Sequence, residues 1–579
     1  MQFSSIDWIF VFSYFIFVLS VGFYFSKKAG RNIENFFISG RSLPWWIAGT
    51  SMVATTFGAD TPLAVTEIVA KNGIAGNWLW WNFILGGMMT VFLFSKLWRR
   101  SEVLTDIEFT ELRYSGKPAS ILRGFRAVYL GLPVNCMIMA WGILAMSSIL
   151  GVTFSFPKYK AIIISLIIAV FYSVLSGFWG VVVTDLFQFV IAMTGSIALA
   201  VISIEHVGGI EILKSKVIQI NPEALNFFPS LSSSSLPFIT FFVYIAIQWW
   251  ATWYPGSEPG GGGYVAQRML ATKNEKHAVF ATLWFNIAHY ALRPWPWILV
   301  ALCSLIVFPN LSDAKMGYPK MMVTFLPTGL KGLMIAAFFG AFMSTIDTHL
   351  NWGASYIVND FYKRFIKKKA SPSHYVLVSR ITIIIIMIFA GFTAYWLESI
   401  KGAWELLIAV GAGTGLIYIL RWYWWRINAW SEISAMVCSF ITAVILLKTP
   451  LGEGGDLNWA YRIIITVGIT TFVWIMVTLL TPPVDKEHLV NFYKKIHPPG
   501  IWKSIQHKIS VGNNNQSLLP DIINWILGTI LIYSALFGFG KLILLEFGKG
   551  IFFLLITFIS SIALFKNLSK FKTDQGGLK

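Results

Sequence analysis

Charge is scarce in this sequence: Asp, Glu, Lys and Arg make up 12% of its 579 residues, about half their share in a soluble domain. Beside 56% hydrophobic residues, that shortage excludes a water-soluble globule, because no core of this length hides so much apolar surface. Cysteine is scarcer still. Cys136, Cys303 and Cys438 each fall inside an apolar run, too scattered for a disulfide framework or a zinc site. The 8 histidines are dispersed as well, so the metal cluster or nucleophile that a membrane enzyme needs is not visible, and no enzymatic activity is expected. No Gly-x-x-x-x-Gly-Lys occurs, and the glycine run 260–263 lacks the Lys and Ser/Thr of a phosphate loop. Acids are few, 27 against 45 basic residues, for a net charge of +18. The bases sit in loops between apolar runs, which indicates topology and contact with anionic lipid rather than nucleic-acid binding. The N-terminal run has no basic n-region and no small-residue cleavage site, so it is expected to be a span and not a cleaved leader.

What the chain has in abundance is long apolar runs. About fifteen approach the roughly 20 residues that cross a bilayer: 5–26, 44–70, 76–98, 122–150, 158–178, 179–203, 237–256, 278–308, 325–358, 375–397, 402–423, 429–448, 460–481, 521–543 and 550–566. Runs 158–178 and 179–203 meet at the glycines of 177–180. Lipid offers backbone groups no hydrogen bonds, so the runs must be helices, and an all-α polytopic membrane protein follows. With the N-terminus outside, most of the 45 Lys and Arg fall in inward loops, which gives N-out and C-in in a bacterial inner membrane. The inward loop 482–520 is basic and partly amphipathic through Leu489, Phe492, Tyr493 and Ile496; it is either a helix lying on the inner membrane face or a linker.

Two runs are interrupted. The second carries Gly58, Ala59, Asp60, Thr61 and Pro62; the seventh leads into Pro255, Gly256, Ser257, Glu258, Pro259 and four glycines. Proline removes a donor and breaks a helix. Broken helices in corresponding positions of two halves point to a transporter binding site. Five spans from the second and five from the seventh fit that pattern.

Several segments around these breaks resemble the sodium/solute symporters, a family that includes bacterial sugar, proline and sialic-acid carriers. Gly40, Arg41, Trp45 and Trp46 are similar to its first inward loop, and Glu108, Phe109, Arg113 and Tyr114 to its third. Thr184, Asp185 and Gln188 match a Thr-Asp-x-x-Gln; Gln267 and Arg268, the run 341–348, and Asp360 with Tyr362 follow in order. The similarity covers about residues 5–440. It implies a LeuT-like core of two inverted five-helix repeats, 44–203 and 237–423. The first helix with its loop (1–43) and the C-terminal helices (424–579, with the loop 482–520) are then peripheral.

The resemblance also implies ion positions. Sodium is a hard cation that wants about five or six oxygens. The family's sodium-coordinating positions match the carbonyls of Ala54, Phe57 and Ala341 and the hydroxyls of Ser344 and Thr345. In some relatives the residue matching Asp185 joins a second sodium site with hydroxyls of the ninth span, which here would draw on Ser344, Asp347 and Thr348. Asp347 departs from the small hydroxyl residue those relatives carry, which opens strengthened ion binding or proton uptake as alternatives.

Intramembrane ionisable residues are expected to be functional. Asp60 and Thr61 follow the first break, and Glu67 lies two helical turns on. His289 and Arg293 are four apart and share a face. Arg293 has two readings: a bidentate partner for an anionic solute, or an internal pair with Asp60, Glu67 or Glu258. Trp253 and Tyr254 precede the second break; Trp404 and Glu405 are further candidates for contact with solute. The expected function is sodium-coupled uptake of a small organic solute, with a sugar or polyol favoured by the aromatic content. Proton-coupled transport of an organic anion or amino acid is the alternative, ahead of a membrane sensor built on a transporter core. The solute, the ion stoichiometry and the oligomeric state are not specified by these residues.

Overall fold

The computed structural model describes residues 3–29, 33–233, 236–506 and 517–569. Its regular structure is helical, with no strand among the described residues. Twelve helices there are long and apolar enough to cross a membrane. Two of the three other runs of the sequence count fall short of that test for local reasons. Run 44–70 is divided into α1 (Trp45–Thr56) and α2 (Asp60–Asn72). Run 237–256 is helical only over Phe238–Gln248. Run 158–178 is the first part of α3 (Lys158–Val207) and its side chains are not wholly within the described residues; the span counted on α3 is Phe178–Val207.

The first break follows from its residues. Phe57 leaves helical geometry (φ −85°, ψ 61°) while its N–H closes α1 onto the carbonyls of Val53 and Ala54. Gly58 has no room for a side chain, since a Cβ there would collide with the Asp60 carboxylate. Pro62 sits in the first turn of α2, where a missing N–H costs nothing. Beyond the second break the chain forms α4 (Gly263–Ala271), then α5 (Glu275–Asn286). Wide π-helical turns over Ile287–Leu292 lead on into α6 (Pro294–Val307). Helix α7 (Leu330–Ser355) is the axis of the molecule: nearly every residue of it is buried. At the other extreme, Phe547–Ser569 is mostly exposed and presents Ile551, Phe552, Leu555 and Phe558 outward, as a lipid-facing helix does. Helix α8 (Ile400–Gly411) completes the elements needed for the site.

The residues of α3 are helical from Lys158 to Val207, yet its two halves run in opposite directions. Ser173 bonds Asp347 of α7, and Asp185 accepts from Ser344 of the same helix. Twelve residues of straight helix would separate those contacts by about 18 Å, against about 5 Å for the three residues on α7. Lys158 reaches the carbonyls of Tyr395 and Leu397, and Gly195 lies against Met334, so both ends return to the same side. The bend falls where the two runs meet in the sequence.

One expectation is corrected. The amphipathic part of 482–520 is a helix, Lys486–Ile496, but Leu489, Phe492 and Ile496 are buried against protein rather than lipid. Phe492 stacks near Trp502 (5.5 Å) and meets Phe109 edge-on (5.9 Å). An amphipathic pattern specifies a covered face, not what covers it.

Candidate functional site

The end of α1 meets the middle of α7. Thr345 Oγ1 donates to the carbonyl of Thr55 (2.9 Å) or of Ala341 (3.0 Å). Ala54 lies one residue before Thr55, and its carbonyl takes the N–H of Phe57 at 3.0 Å. Ser344 Oγ donates to Asp185 Oδ1 at 2.5 Å, and Ser51 Oγ bonds the other oxygen. The neighbourhood of Ala54, Phe57, Ala341, Ser344 and Thr345 thus offers only oxygens, the donor set a hard monovalent cation takes.

Beside it stands a residue that the motif reading quoted but gave no role. The Arg268 guanidinium, brought in by α4, donates to Thr348 Oγ1 (2.7 Å), Thr55 Oγ1 (3.2 Å) and Ser51 Oγ (3.1 Å). It stands 3.8 Å from Asp185. A fixed cation therefore occupies the space between Asp185 and Thr348 where a second sodium was expected. Asp347 turns away from that group: one oxygen accepts the Ser173 hydroxyl, and the other meets no partner among the described residues. Of the four residues expected there, Asp185 and Thr348 flank Arg268, Ser344 bonds Asp185, and Asp347 bonds Ser173.

On the far side of the α1–α2 break lies a cavity of about 210 Å³. Thr56, Gly58, Asp60, Thr61 and Thr345 form its floor against the cation oxygens. Trp80, Trp141, Trp253, Tyr254, Tyr264, Tyr290 and Trp404 form an aromatic wall. Trp253 meets Trp404 at 5.2 Å, and Trp141 bridges Trp404 and Tyr254 at 6.1 Å each. The turns of Ile287–Leu292 carry His289, and Arg293 follows; both line the cavity. His289 Nδ1 is 3.2 Å from Thr56 Oγ1. Of the expected solute contacts, Asp60, Thr61, Trp253, Tyr254, His289, Arg293 and Trp404 come together here.

Three others do not serve as expected. Glu67 does not line the cavity; it pairs with Lys71 one turn along α2 at 2.8 Å. Glu405 follows Trp404 on α8 but does not line the cavity either. Glu258 reaches the cavity wall, yet both its oxygens are held by arginines, Arg126 and Arg421 (2.8 Å). Those arginines also grip Glu432, at 2.8 and 3.4 Å, and Tyr114 donates to it at 2.6 Å. Arg126, Arg421 and Glu432 stand at run ends, where the sequence gives only a topological charge.

Comparison with known proteins agrees with this arrangement. Residues 36–439 match the model of the "Sodium:solute symporter family". The sodium/glucose cotransporter of Vibrio parahaemolyticus is 25% identical over 495 residues, covering 81% of this chain and 90% of that protein. Sodium/glucose cotransporter 1 of Oryctolagus cuniculus is 23% identical over 545 residues, 82% and 79% of the two chains. Among solved structures, a substrate-bound, outward-open Na+-coupled sialic acid symporter shares the fold with a TM-score of 0.67 at 21% identity, over 84% of this chain and all of that one. With its family motifs in order, a helical multi-pass fold and a match across most of its length, this protein belongs to the sodium:solute symporter family, and sodium is its coupling ion.

Proposed function

We propose that the protein imports a small organic solute together with sodium by alternating access, and that the 210 Å³ cavity is the solute site. One observation carries this reading: Thr345 belongs to both places. Its side chain lines the cavity, and its hydroxyl bonds the carbonyls at the end of α1 and on α7. An ion held by the oxygens of Ala54, Phe57, Ala341, Ser344 and Thr345 would fasten the broken helix to α7 and fix the cavity floor. Solute affinity then rises with sodium, and sodium affinity rises equally with solute. The cavity is small for a ligand pocket, which suits a compact solute.

The solute class is hydroxyl-rich, of sugar or polyol type. The aromatic wall supplies faces for C–H surfaces, and Asp60 and Thr61 supply acceptors and a donor. The relatives named for sodium/glucose and sodium/myo-inositol cotransport support that class. The architecture we assign is two inverted five-helix repeats, 44–203 and 237–423, with peripheral helices around them. Counting the divided and bent runs as spans gives about fifteen, N-out and C-in, in a bacterial inner membrane.

The test is thermal stability of the purified protein in sodium against potassium. Sodium raises the Tm of the wild type, and Ser344→Ala with Thr345→Ala abolishes the rise. A wild type that responds to acidification but not to sodium would refute the assignment.

A further inference from the structure

Five arginines are almost wholly buried: Arg113, Arg126, Arg268, Arg293 and Arg421. Four have oxygen acceptors inside the protein. Arg113 donates to the carbonyls of Arg421, Trp424 and Trp425. Arg126 and Arg421 hold Glu258 and Glu432, and Arg268 is bonded to Thr348 beside Asp185. Arg293 differs. It is 1% exposed and lines the solute cavity, yet no carboxylate among the described residues pairs with it. Its Nε and Nη1 meet no acceptor among the described residues. Its Nη2 has only His289 Nε2, at 3.4 Å, longer than a good hydrogen bond.

The environment of Arg293 is nonetheless built. Trp297 lies 4.8 Å from the guanidinium carbon and Phe57 5.7 Å, so two rings support the group. Such contacts attract a cation but offer its N–H groups no oxygen. His289 steadies one side: the Thr56 hydroxyl donates to main-chain carbonyls of α1, so His289 Nδ1–H donates to Thr56 and leaves Nε2 to face Arg293. A buried, supported guanidinium with unused donors in a cavity fits a planar anion that accepts two parallel hydrogen bonds. Asp60 attracts Arg293 electrostatically, but among the described residues no hydrogen bond or ion pair joins the two. Asp60 sits in the first turn of α2, where the helix dipole already favours a negative charge.

The geometry points to Arg293 as the recognition residue for a carboxylate on the transported solute, which narrows the sugar or polyol class proposed above to its hydroxylated acids. This rests on the cavity being the solute site, as proposed above. The carboxylate docks on Arg293, the hydroxyls reach Asp60 and Thr61, and the carbon faces lie against Trp253 and Trp404. Thr56 links the docking group to the end of α1, one residue before Phe57, so filling Arg293 and filling the cation oxygens order the same turn.

The experiment uses the full-length purified protein and paired probes: D-glucose against D-glucuronate, and D-sorbitol against D-gluconate, titrated by thermal shift in sodium. The expected result is that at least one acid stabilises the wild type at concentrations more than about tenfold below its neutral partner. Arg293→Gln weakens that acid about 10- to 100-fold, as loss of a charge-assisted bond does. It keeps the sodium shift, and its solute-free Tm does not fall. Arg293→Lys, which retains the charge without the fork, falls between the two and carries the test if Arg293→Gln does not fold. Equal response to acid and neutral partners overturns the inference. So does an acid preference that survives Arg293→Gln, or a wild type that sodium stabilises and no carboxylate does. A wild type without a sodium shift would instead count against the symport reading; the acid preference, titrated without sodium, then still decides the role of Arg293.

Discussion

Two groups of buried charge lie within reach of the same broken segment, and they are built in opposite ways. At the ring, Glu258 and Glu432 are each shared by Arg126 and Arg421, with side chains 0–2% exposed. Two acids and two bases close on each other and join helices Gly116–Tyr129, Gly415–Tyr423 and Ala429–Leu447 to the stretch before α4. In the cavity, Asp60 and Arg293 are buried too and His289 is half-buried, but no ion pair joins them among the described residues. Both places bury carboxylates and arginines. What separates structure from binding is the partner: a charge already answered inside the protein holds the fold, and one left unanswered at a cavity is available to a ligand.

The comparison breaks most visibly at the ring. Glu258→Gln leaves two guanidinium groups to share one acid, and removing one member of a buried pair costs about 3–5 kcal/mol. The expected outcome is a large fall in Tm that Glu258→Gln combined with Arg126→Gln partly restores, measured as a double-mutant cycle. A fall no larger than that of Arg293→Gln would erase the distinction. Arg268 is the intermediate case, since it is paired yet borders the cation oxygens. Arg268→Ala is expected to cost about 2–3 kcal/mol in potassium, the scale of a charged hydrogen bond. Sodium should return part of that loss, giving a larger sodium-dependent Tm shift than in the wild type, because Asp185 then lacks its guanidinium. An unchanged sodium shift would mean that Arg268 and the ion do not share Asp185.

How far the sequence revealed this arrangement depended on distance along the chain. Helical runs and the first break are local: Gly58 and Pro62 interrupt α1 and α2 whatever else the chain does. Asp60, His289 and Arg293 stood out because ionisable residues inside apolar runs have few innocent explanations. Glu67 misled through its angle alone. Seven residues return nearly to the direction of Asp60, but the cavity is met along α2 by Thr61, Val65 and Ile68, which face round the helix from Glu67, so Glu67 reaches Lys71 instead. Arg126, Arg421 and Glu432 were not legible, because each ends a run and counts there as a topological charge. Arg126 and Glu432 are separated by 306 positions, and no local pattern joins them. Arg268 was quoted within a motif, but its role between Asp185 and Thr348 needs the fold of α4 against α1 and α7.

The smallest expected effect tests the comparison where paired charges meet water. Glu111, in the short helix Phe109–Arg113 before helix Gly116–Tyr129, accepts hydrogen bonds from Arg364 (3.0 Å), Ser120 (2.6 Å) and Arg123 (2.7 Å). Burial pushes its carboxyl up, but these bonds outweigh burial and hold it down at about 2, below the ordinary 4.5. The depressed value means that the folded state prefers the carboxylate. The stabilisation is therefore complete above the unfolded value and disappears as pH falls from about 5 towards 2. The side chain is 21% exposed and Arg364 36% exposed, so screening reduces the contribution to about 1 kcal/mol. Glu111→Gln should lower Tm slightly at neutral pH, and the gap to the wild type should close on acidification. High salt should shrink it as well, whereas salt should leave the loss caused by Glu258→Gln nearly unchanged. A Glu111 effect as large and salt-resistant as that of Glu258 would show that pairing alone, without exclusion of water, sets the cost of losing a charge in this protein.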